Sequence, residues 1–94
     1  MEIHYLIRSH SDGQYLVARP RVNDEKAAFL LLFREHFEAL SYLNTHAADI
    51  RDRFGVESAS QPQLKSIIDR WGFTGVGLVE DALIPRIQFL ALNH

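Results

Sequence analysis

Ser9, His10, Ser11 and Asp12 bring the residue types of a hydrolase triad into one short stretch. A hydroxyl, an imidazole and a carboxylate act together only when the histidine bonds both partners, and working triads gather their members from separate elements around a pocket. Four neighbours followed by Gly13 fit a turn better, because Asp-Gly supplies the positive φ of a tight hairpin. Five histidines, His4, His10, His36, His46 and His94, raise the question of a metal. No His-x-x-x-His or His-Glu-x-x-His spacing is present. His36 and His46, ten apart on a helix, point in nearly perpendicular directions. The lack of cysteine excludes disulfides, zinc–thiolate sites, iron–sulfur clusters and thiol catalysis. The reading is therefore no metal, no cofactor and no catalytic residue.

Two further clusters remain. Gly72-Phe73-Thr74-Gly75-Val76-Gly77 is rich in glycine, but a phosphate loop needs a helix N-terminus straight after the glycines, and here a strand follows. As a GxxG clamp on RNA the segment lacks basic neighbours. It reads as a helix end followed by closely packed strand. Arg8, Arg19 and Arg21 belong to the first hairpin and are candidates to contact an anion or an acidic partner. Joined with His4 and His10, they are the groups from which a small ligand-binding domain or enzyme would be built.

Charge narrows the partners. Ten basic and twelve acidic residues give a net charge of −2, scattered along the chain. With no basic block to neutralise phosphates, nucleic acid is not an expected partner. No apolar run is long enough for a membrane span. Met1-Glu2-Ile3-His4-Tyr5 has neither the basic start nor the apolar core of a signal peptide, which points to the cytoplasm.

The elements that would position these groups follow from periodicity. Residues 1–94 suit a single domain. Ile3–Arg8 and Gln14–Arg19 alternate as a hairpin, with Ile3, Tyr5, Ile7, Tyr15 and Val17 assigned to one face. Pro20 ends it, and Val22–Lys26 is a second turn. Ala27–Phe33 is apolar throughout, as a central strand is. Phe37, Leu40, Leu43, Ala47, Ile50 and Phe54 define one stripe of a long helix ending at Gly55. Val56–Ser60 reads as an edge strand or a loop. Ser60 and Gln63 form a capping box for a second helix, with Pro62 in its first turn and Leu64, Ile67, Ile68 and Trp71 as its apolar stripe. Thr74–Glu80 and Arg86–Leu92 are the last strands. The order βββα(β)αββ predicts an α+β fold, with a largely antiparallel sheet of four to six strands and two helices on one face.

Tyr15-Leu16-Val17-Ala18-Arg19, Phe29-Leu30-Leu31-Leu32-Phe33, Phe37-Glu38-Ala39-Leu40-Ser41-Tyr42-Leu43 and Gly75-Val76-Gly77-Leu78-Val79 together resemble the SseB-like (enhanced serine sensitivity) domains. The likeness is one of apolar patterning over most of the chain. Arg34-Glu35 and Glu80-Asp81 depart from it, standing where a small hydroxyl pair and Asn-Pro are expected. The resemblance implies a small α+β module without known catalytic residues.

Apolar residues make up 47% of the chain. With both helices on one face, the other face would keep Leu6, Leu16, Leu30, Leu32 and Leu90 in water, and monomers seldom expose such a patch. Those five leucines are the expected interface of a homodimer packed sheet to sheet. Folding of Val22 or of Ala82–Ile84 over the patch is the alternative within one chain. The expected function is a non-enzymatic interaction or regulatory module. The ligand-binding or enzymatic reading above and an inhibitor of another macromolecule are the alternatives.

Overall fold

A computed structural model describes residues 2–20 and 27–92. The chain is α+β, with a six-stranded mixed sheet. In chain order come β1 (Ile3–Ser9), β2 (Val17–Ala18), β3 (Phe29–Phe33), α1 (His36–His46), a 3-10 helix (Ala48–Arg53), β4 (Phe54–Ser60), α2 (Gln61–Trp71), β5 (Gly75–Asp81) and β6 (Arg86–Ala91). The sheet runs β4-β1-β3-β5-β6, and the short β2 pairs with β3. Every pairing is antiparallel except the parallel β3–β5 at its centre.

The helices lie on opposite faces of the sheet, which corrects the expectation of one shared face. All five residues of β3 are buried. Alternation sends Leu30 and Leu32 to one side, where they meet Leu64 and Ile68 of α2. It sends Leu31 and Phe33 to the other, where they meet Ala39 and Leu43 of α1. A strand apolar on both faces needs cover on both, and with two helices available each face receives one.

α1 is shorter than the expected helix and turned relative to it. It stops at His46, and the residues after Ala47 form the 3-10 turns. Gly55 therefore caps nothing and lies within β4. The expected stripe took its phase partly from Ile50 and Phe54, which are not in the helix. The face that packs is Ala39, Tyr42 and Leu43. Phe37 and Leu40 are 64% and 43% exposed. Tyr42 meets Phe33 edge-on, with ring centroids 5.4 Å apart.

α2 follows its sequence signals. The Ser60 amide donates to Gln63 Oε1 at 2.8 Å, and the Gln63 amide donates back to Ser60 Oγ. At the other end, the Gly72 amide donates to the Ile68 carbonyl at 2.9 Å. Trp71 is not core: it stands at the surface, edge-on to Tyr15 at 5.4 Å. Val56–Ser60 belongs to the strand β4, which pairs with β1 over seven positions.

Candidate functional site

The hairpin that holds the triad residue types is built as a turn. Gly13 has φ 71°. The Gln14 amide donates to Asp12 Oδ1 at 3.0 Å, and the hydroxyls of Ser9 and Ser11 are 3.0 Å apart. The Gln14 amide, and after it the Ser9 hydroxyl, hold the Asp12 carboxyl below the usual carboxylate range. The His10 amide donates to the Arg53 carbonyl, and its ring lies against Gly55, where a Cβ would come within 2.7 Å of Cε1. Each of these groups ties the hairpin to itself or to the junction of the 3-10 helix with β4.

Arg8 does the same. Its Nε donates to the Gly13 carbonyl at 2.7 Å, its guanidinium lies 4.8 Å from the centre of the Tyr15 ring, and Nη1 is 3.8 Å from Glu57. Arg19 is exposed beyond β2. Arg21 and His94, like the expected turn Val22–Lys26, lie outside the described residues. His4 is near the start of β1 and His10 just beyond its end. Six residues of extended chain separate them by about 20 Å. His4, His10 and Arg8 are thus strung along one strand rather than gathered around a hollow.

The other histidines have structural surroundings. The His36 ring meets Tyr5 edge-on at 5.7 Å, and His46 Nε2 lies 2.9 Å from the Ala82 carbonyl. Among the described residues no three histidine, aspartate or glutamate side chains stand close enough to hold a metal. No helix among them is long and apolar enough to cross a membrane.

The expected interface leucines are divided by α2. Leu6, Leu30 and Leu32 are buried beneath it within the chain. Leu16 is half-buried on the α1 side. The pairing of Val17 with Leu30 puts Tyr15 and Val17 on the α2 side, one residue out of phase with the expected faces, and a one-residue slip moves every side chain across. Leu90 alone of the five is open, 44% exposed. The bare second face is therefore corrected to its β5–β6 part. The Ala82–Ile84 turn does not cover it: Ala82 is buried on the α1 side, and Leu83 and Ile84 are exposed.

What remains open is a groove of about 470 Å³ beside α2. Leu64, Lys65 and Ile68 form its wall, and Leu32, Val76 and Leu78 belong to the strands beneath. Leu90 and Leu92 lie on the β6 side. His4 also lines it, and the buried His4 Nδ1 has no hydrogen-bond partner among the described residues. Sequence patterning pointed to an apolar surplus on this face. It did not locate the groove, whose boundary depends on where α2 lies. The only hint of it was Leu90 and Leu92 sharing one face of the last strand with Gln88.

Comparison of the chain with protein-family models, with curated proteins and with solved structures finds no match.

Proposed function

We infer that this chain is a non-enzymatic protein-interaction module that works as a homodimer. One observation carries the reading: the apolar groove beside α2, with Leu90 and Leu92 exposed on its β6 side. Water left on such a surface is released when another apolar surface covers it. The SseB-like resemblance belongs to the same proposal, since it too implies a small α+β module without catalytic residues. Sedimentation equilibrium at micromolar concentration tests the reading. The wild type is expected to sediment as a dimer and Leu90→Glu to associate more weakly. A wild type that stays monomeric throughout would overturn it.

His4 supports a second reading, in which the groove takes a small apolar ligand with one polar group for Nδ1 to bond. A ligand of that kind would bind wild type but not His4→Phe, whereas the dimer would persist in both.

A further inference from the structure

We propose that β6 pairs with β6 of a second copy of this chain, antiparallel about a two-fold axis at Phe89. The pairing joins two sheets into one and two grooves into one trough. This rests on the dimer reading above and specifies its interface.

β6 ends the sheet, and among the described residues it pairs with β5 alone. Two contacts fix which way its backbone points. The Leu92 amide donates to the Thr74 carbonyl at 3.0 Å. The Leu90 carbonyl is the group that a Cβ on Gly75 would strike. Leu90 and Leu92 thus turn their polar backbone inward, toward β5. Successive residues of an antiparallel strand turn these groups to alternate sides. Ile87, Phe89 and Ala91 therefore present theirs outward, along the free edge.

Proteins ordinarily blunt such an edge with charge, proline or a bulge. At the opposite edge β4 carries Glu57, engaged with Arg8. Apart from Arg86 at its start, β6 has no charge, proline or glycine. Its register shift lies at the far end, between Val79 and Asp81 on β5. Phe89, Leu90 and Leu92 are each more than 40% exposed.

The strand also fits itself. It has three outward residues, and Phe89 is the middle one. A two-fold axis at Phe89 is the only symmetric register that pairs all three. Phe89 faces its own copy, and Ile87 faces the partner subunit's Ala91, large against small. Gln88 lies across from the partner subunit's Leu90, and no like charges oppose one another. The groove supplies the second argument. It is walled by α2 and open on the β6 side, and this pairing closes that side with the second copy's β6 and sets two grooves edge to edge. The resulting trough runs between two α2 helices over Leu78, Leu90 and Leu92 of both copies.

The chain has no cysteine, which makes a cross-linking test direct. Partners in a hydrogen-bonded antiparallel pair stand about 5.5 Å apart at Cα, within disulfide range. Phe89→Cys should oxidise to a covalent dimer at concentrations where Ser58→Cys, on the other edge, stays monomeric. Phe89→Pro removes an outward amide and no bond to β5, so it should keep the wild-type circular dichroism spectrum and sediment as a monomer. If Phe89→Pro misfolds, the cross-link decides alone. A dimeric wild type whose Phe89→Pro variant is also dimeric overturns the edge pairing and leaves the dimer reading standing. So does Phe89→Cys oxidising no faster than Ser58→Cys. A wild type that is monomeric throughout overturns both.

Discussion

Gly75 runs so close to β6 that a Cβ at this position would collide with the Leu90 carbonyl. The obstacle is backbone, which cannot swing aside as a side chain can. Gly75→Ala must separate β5 from β6 or distort both, and overpacking of this kind costs about 3 kcal/mol. Urea unfolding should show the midpoint falling by a corresponding amount. A change within half of that would mean that the strands part easily here.

Leu43 and Leu40 test the orientation of α1. Leu43 is 3% exposed and Leu40 43%. Leu43→Ala should destabilise by about 2–4 kcal/mol, as truncation of a buried leucine does. Leu40→Ala should cost less than about 1 kcal/mol, in the range of surface changes plus a partial loss of burial. Chemical denaturation of the pair reads the difference, and equal losses would refute the orientation.

The capping box of α2 contributes locally. Ser60→Ala leaves the first amides of the helix without their side-chain acceptor, at a cost of about 1 kcal/mol. Ser60→Asp should retain most of the stability, since its carboxylate accepts the same bond and favours the helix N-terminus. Thermal unfolding of the two variants distinguishes loss of the cap from loss of the hydroxyl alone.

Tyr42 predicts an alkaline effect. Burial raises its phenol above the ordinary value of 10.0. A group raised in the folded state contributes stability that is fully present below its unfolded pKa and is lost as pH rises through its folded pKa. The loss therefore begins near pH 10 and deepens above it. Tyr42→Phe should flatten that part of the stability profile, measured by denaturant midpoints from pH 8 upward. An unchanged slope would assign the effect to other groups.

Local features of this chain are legible in its sequence and tertiary ones are not. Ser60, Pro62, Gln63 and Gly72 act within a few residues of chain, so α2 was visible in the sequence. Asp12 and Gly13 defined their turn for the same reason. The phase of α1 was not visible, because Ala39, Tyr42 and Leu43 describe a stripe as well as Phe37 and Leu40 do, and only the sheet decides between them. The side taken by each helix was available in principle from Leu30 to Phe33, since a strand apolar on both faces demands two covers. The groove had no comparable signal: it is bounded by Leu64 and Ile68 on one side and Leu78 and Leu90 on the other, distant in sequence and brought together by packing.

The parallel pairing of β3 with β5 has a consequence for how the chain folds. Phe33 and Val79 are register partners, yet α1, the 3-10 turns, β4 and α2 all lie between them in sequence. The β5–β6 hairpin closes across a short turn and loses little chain entropy in doing so. The central pair closes only after a long excursion, and contacts of that separation govern the speed of folding. Leu32 and Leu78, opposite one another in that pair, belong to the slow step. Shortening either to alanine should lower the refolding rate more than it raises the unfolding rate, a distinction that the two arms of a chevron plot resolve.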